Sequence, residues 1–88
     1  MKDSEYMADV LYETLTNCKS KKDFAELLCD LCTYQEVEQM AQRAAAAKML
    51  IAGKTYAEII AETDISSATL SRVSRSLRHG SGGYEKFL

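Results

Sequence analysis

The chain has 88 residues and a formal charge of −2; at 47% hydrophobic and 27% charged it suits one globular domain and not a disordered protein. There is no run of about 18 apolar residues, and Met1-Lys-Asp-Ser-Glu5 has neither the basic region nor the apolar stretch of a secretory leader, so a cytoplasmic protein that makes no use of the membrane is expected. Charge is divided unevenly: residues 1–38 hold four Lys/Arg against nine Asp/Glu and residues 39–88 seven against four, which leaves only the C-terminal half able to face a polyanion.

From about Asp3 to Asn17, Tyr6, Met7, Val10, Leu11, Leu15 and Cys18 recur at three- and four-residue spacings. This predicts an amphipathic helix with an acidic outer face. Asn17-Cys-Lys-Ser20 breaks the pattern, and Ser20-x-x-Asp23 caps a second helix carrying Phe24, Leu27, Leu28 and Leu31. Cys18, Cys29 and Cys32 read as small buried hydrophobes. Cys29-x-x-Cys32 lacks the second pair of ligands that a zinc site needs, and His79 is the one histidine, so no metal is expected.

Thr33-x-x-Glu36 is a capping box that starts a third helix from about Tyr34 to Ala52, ended by Gly53 in a left-handed C-cap. Val37, Met40, Ala41, Ala44, Met49, Leu50 and Ile51 are available for packing. The run Ala44 to Ala47 forms helix strongly and has almost no bulk, which suits close approach of another helix at a core or subunit interface. With so short a chain limited in core, dimerisation is the expected source of further buried surface.

Thr55-x-x-Glu58 is the next capping box, opening a fourth helix to about Glu62 with Ile59 and Ile60 as its apolar anchors. Thr63-Asp64-Ile65 leaves room only for a tight turn before Ser66 or Ser67 caps a fifth helix reaching about His79. Asp64 falls where such turns often take positive φ, a region that aspartate tolerates better than most residues. Two amphipathic helices so closely joined form a helix-turn-helix over residues 55–79. On the second, Leu70, Val73 and Leu77 share the apolar side at about 100° per residue, while Ala68, Arg72, Arg75 and His79 lie opposite. No acidic residue occurs between Ser66 and Gly83, so the outer face is positive. Gly80-Ser-Gly-Gly83 ends the helix, and Tyr84-Glu-Lys-Phe-Leu88 either docks back or frays.

The segments Cys32-Thr-Tyr-Gln-Glu-Val-Glu-Gln-Met-Ala-Gln-Arg43, Leu50-Ile-Ala-Gly53 and Ala68-Thr-Leu-Ser-Arg72, taken in order, resemble the Trp repressor family, and within it the YerC/YecD-type Trp-repressor-like proteins. The resemblance implies an all-α homodimer of about five helices per chain. Residues 1–53 would form the dimerisation and core helices of a single domain over 1–80, the N-terminal helices of two subunits would interlock, and the helix-turn-helix units would project. It further implies a double-stranded DNA partner, with Ser66–His79 in the major groove. Contacts would come from Ser67, Ala68, Thr69 and Ser71 to bases, from Arg72, Arg75 and Arg78 to phosphates, and from backbone amides where the helices beginning at Tyr56 and Ser67 open.

Thr33, Arg43, Arg72 and Ser76 match polar positions that line the corepressor pocket of tryptophan-responsive members. Plainer readings are an ion pair on the long helix for Arg43 and a phosphate contact for Arg72. Val73 stands where those members have glycine beside the ligand, and its branched side chain takes space that an indole ring needs, which argues against tryptophan. The expected function is a sequence-specific transcriptional regulator, in character a repressor, either free of corepressor or answering another effector. A helix-turn-helix that docks an acidic protein is the alternative. His79 has no carboxylate or nucleophile companion at motif spacing and no glycine-rich phosphate loop exists, so no enzyme is expected.

Overall fold

A computed structural model describes residues 3–88, which are helical with no strand among them. Six helices follow in order: α1 Ser4–Thr16, α2 Lys21–Leu31, α3 Tyr34–Ile51, α4 Tyr56–Thr63, α5 Ser67–His79 and α6 Gly83–Phe87. No helix is long and apolar enough among the described residues to cross a membrane. The helices group into two compact units, one running up to Tyr34 and the other from Gln35 to Leu88.

The N-terminal unit is two capped helices. Asp3 Oδ1 accepts the Tyr6 amide at 3.0 Å to start α1. Ser20 Oγ accepts the Asp23 amide at 3.2 Å, and Asp23 Oδ2 in turn accepts the Lys19 amide at 2.8 Å, so the sequence Ser20-x-x-Asp23 closes the start of α2 from both sides. Neither helix contains a buried residue. Tyr6, Met7, Val10, Leu11, Phe24 and Leu31 are exposed, and Leu15, Leu27 and Leu28 are half-buried. The cysteines differ from expectation: Cys29 is exposed, and Cys18 and Cys32 are only half-buried, in a pair of helices without a buried residue.

The second unit has a proper core. Ala46, Ala47, Ile59, Ile65, Leu70 and Val73 are sealed from solvent, with Met49, Leu50, Ile60 and Tyr84 packed around them. Two residues of the alanine run, Ala46 and Ala47, reach this core with no accessible surface, so α3 contributes its smallest side chains to the packing. Other α3 residues expected to pack do so less: Met40, Ala41, Ala44 and Ile51 are exposed and Val37 is half-buried. The buried residues of α3 are Ala46 and Ala47, with Met49 and Leu50 partly buried beside them.

Helix α3 ends as Gly53 requires. With φ +88 it lets its own amide reach Leu50 O at 3.0 Å and the Lys54 amide reach Met49 O at 3.0 Å, the paired bonds of a Schellman ending. Lys54 then pairs with Glu62 of α4 at 3.3 Å. Beyond Gly80, the five residues Gly83–Phe87 form the additional helix α6, from which Tyr84 packs on the core.

Candidate nucleic-acid interface

The capping box at the head of α4 is complete. Thr55 Oγ1 accepts the Glu58 amide at 3.2 Å and Glu58 Oε1 accepts the Thr55 amide at 3.1 Å. That amide, and then the Thr55 hydroxyl, which donates to the same oxygen at 2.9 Å, hold the Glu58 carboxyl below the usual carboxylate range.

The turn that follows is built by side chains. Asp64 adopts φ 60, the left-handed conformation expected at this position, and its amide caps α4 by reaching Ile60 O at 3.0 Å. Thr63 Oγ1 donates to Ile59 O at 2.7 Å and accepts the Ile65 amide at 3.2 Å. From α3, Gln42 Nε2 donates to Thr63 O at 3.0 Å, while Ile65, only 2% exposed, plugs the turn into the core. The angle between α4 and α5 is therefore pinned by one left-handed residue, one hydroxyl, one amide and one buried side chain.

Ser66, not Ser67, caps α5. Its Oγ accepts the Thr69 amide at 3.1 Å and donates to Thr69 Oγ1 at 2.9 Å. Thr69 is thereby half-buried and its hydroxyl engaged, which leaves Ser67, Ala68 and Ser71 as the exposed small residues of the opening turns. The amides of Ser67 and Ala68 have no carbonyl one turn back within the helix and are suited to an anion. Inward, Leu70, Val73 and Ser74 are buried and Leu77 is half-buried. Outward, Arg72, Arg75, Arg78 and His79 are exposed, and the first turn contains no acid. Tyr56, at the start of α4, is exposed as well.

Beside this face lies a cleft of about 560 Å³ between α3, α5 and α6. Three of the four residues read as lining a ligand pocket, Arg43, Arg72 and Ser76, are brought together in its walls, with Val73 between them. Thr33 belongs to the N-terminal unit. Arg43 is half-buried, and among the described residues of the single chain neither it nor Arg72 has an ion-pair or hydrogen-bond partner. Asp64 is the carboxylate in the same walls, and Gln39, Gln42 and Tyr84 join them. Sequence reading missed these last three. The glutamines pass for solvent-facing positions of α3, and Tyr84 is separated from α5 by the glycine segment. Among the described residues no three His, Cys, Asp or Glu side chains gather as a metal site.

The model of the Trp repressor protein family matches residues 7–88. The chain belongs to the Trp repressor family. Within it, the uncharacterized protein YerC of Bacillus subtilis (strain 168) is 40% identical over 80 residues, covering 91% of this chain and 77% of that protein. Two crystal structures have the same fold. A candidate Trp repressor from Staphylococcus aureus superposes with a TM-score of 0.91 at 36% identity, over 94% of this chain and 83% of that one. A TrpR-like protein from Eubacterium eligens ATCC 27750 does so with a TM-score of 0.89 at 34% identity, over 92% and 84%. This Trp repressor family member is thus an all-helical protein whose α4 and α5 form the helix-turn-helix of a family of DNA-binding regulators.

Proposed function

We propose that the protein is a homodimeric, sequence-specific regulator of transcription, acting as a repressor by occupying its site. Helix α5 lies in the major groove of double-stranded DNA. The observation that carries this reading is the outer face of α5: Ser67, Ala68 and Ser71 exposed near its start, Arg72, Arg75 and Arg78 exposed along it, and no acid on the helix. Small residues at the start let the helix end approach base edges closely, where the Ala68 methyl meets thymine methyls and the serine hydroxyls bond to bases or phosphates. Thr69, its hydroxyl shared with Ser66, contributes chiefly its methyl. The arginines and the opening amides of α4, near Tyr56, and of α5 take phosphates, which set register and affinity without reading sequence.

Homodimerisation is supported by the N-terminal unit. Its helices bury nothing by themselves, and Tyr6, Met7, Val10, Phe24 and Leu31 are each at least 40% exposed. Interlocking these faces between two subunits would cover them and present two α5 helices to successive grooves. The cleft at Arg43, Arg72 and Ser76 is the place where an effector would bind. Its two guanidiniums, without an ion-pair partner among the described residues, suit an anionic group, and the branched Val73 lining the same cleft disfavours an indole ring.

A salt titration on a fixed duplex tests the mechanism. Replacing Arg75 or Arg78 by alanine should weaken binding about equally on every sequence and lower the slope of log K against log salt by about one per arginine removed. An unchanged slope in both variants would remove the arginines from the interface. Loss of binding to an acidic partner protein, with DNA binding intact, would instead make the helix-turn-helix a protein-docking module.

A further inference from the structure

We infer that Tyr84, carried by α6, is a positioning residue that holds the reading helix α5 in place from within the chain, a role that rests on the DNA-binding reading above. The buried anchors of α5 are Leu70, Val73 and Ser74, all among its first eight residues; beyond them Leu77 alone is half-buried, and Arg75, Ser76, Arg78 and His79 are exposed. The C-terminal half of α5, which bears two of the three arginines, is therefore weakly held by the core. It is α6 that packs against it.

The return of α6 is built into the backbone. A side chain at Gly80 would collide with Ser76 O, and Gly82 has φ +87, so the turn between the helices uses glycine at the two places where another residue would be obstructed or strained. The Lys86 amide then reaches Gly82 O at 3.0 Å and the Leu88 amide Tyr84 O at 3.0 Å. Within α6, Tyr84 is the one residue withdrawn from solvent, and it packs on the core cluster that contains Leu70 and Val73.

Tyr84 also walls the cleft that Arg43 and Arg72 enter. Val73 and Tyr84 are its two apolar walls; the rest are polar or charged. The ring thus supplies, as part of the chain, apolar packing in a cleft lined from both α3 and α5. Helix α5 is thereby held from within the chain and needs no aromatic molecule at that place to bind DNA.

Chemical rescue tests this. In Tyr84→Ala only a fraction of molecules would hold α5 correctly, so DNA affinity falls by that fraction, about tenfold for one molecule in ten. The slope of log K against log salt stays that of the unaltered protein, because the contacts in the complex are the same. Para-cresol, the shape of the missing side chain, restores affinity, and Tyr84→Phe binds as the unaltered protein does. Without DNA, para-cresol raises the melting temperature of Tyr84→Ala and not that of the unaltered protein. That arm reads the ring site by itself, so failure of every variant to bind any DNA, with the thermal rescue intact, would remove the DNA-binding reading and not the packing of Tyr84. Wild-type affinity in Tyr84→Ala, or a loss that para-cresol does not reverse, overturns the proposal. Should Tyr84→Ala not fold, nuclear Overhauser contacts between the Tyr84 ring and the Val73 methyls in the unaltered protein, kept in its DNA complex, support it, and their absence overturns it.

Discussion

Ser66 and Thr69 show how single residues share two tasks at the head of α5. The Ser66 hydroxyl both accepts the Thr69 amide and donates to the Thr69 hydroxyl, so Ser66→Ala removes a cap worth about 1 kcal/mol. In a chain of this size that lowers the melting temperature by about 4–8 °C, a shift readable by circular dichroism. Asp64 was legible as a left-handed residue because the turn is too short to reverse otherwise, and its φ is 60. Asp64→Gly should therefore keep or raise stability, whereas a β-branched residue there should lower it by about 1–2 kcal/mol. At Glu58 the carboxylate form accepts the Thr55 amide and the Thr55 hydroxyl, which lowers its folded pKa. A depressed folded value means that its contribution is present above the unfolded pKa and fades as pH falls through the lower, folded one. Glu58→Gln should accordingly flatten the acid side of the stability profile.

At the scale of elements, α2, α4 and α5 were readable from their caps, because a capping side chain three residues from its amide is a local signal that needs no tertiary context. Packing was less readable. On α3 the buried face is carried by Ala46 and Ala47, from the run whose small size suits close approach, while the larger Met40 and Ile51, which periodicity alone offers for packing, remain exposed. Helix α6 was left between docked and frayed since five residues behind a glycine turn show no periodicity, and what decides its place is Tyr84 meeting a core assembled from α3, α4 and α5. For the candidate site, Arg43, Arg72 and Ser76 could be picked out by resemblance, but Gln39, Gln42 and Tyr84 become visible only when three helices are brought together. Gly80→Ala should be costly out of proportion to its size, its new methyl meeting the Ser76 carbonyl. Its effect should appear as a loss of α6 packing, read by faster amide exchange after residue 80, with α4 still folded.

For the whole molecule, the division of charge and of burial runs the same way. The acidic N-terminal unit has an uncovered apolar face, and the basic C-terminal unit has the core and the positive helix. The proposed homodimer, joined through the first unit, would cover that apolar face. Its melting temperature should then rise with protein concentration, and Val10→Glu together with Phe24→Glu should give a monomer by sedimentation, with DNA affinity reduced because one reading helix alone engages. Tm independent of concentration, with a monomeric mass at micromolar protein, would rule that assembly out. The central claim, that α5 reads sequence, is met most directly by selecting bound duplexes from a random pool with the purified protein and no added ligand. The expected result is enrichment of a pseudo-palindrome whose half-sites lie about one helical turn apart; equal, weak retention of every sequence would contradict it.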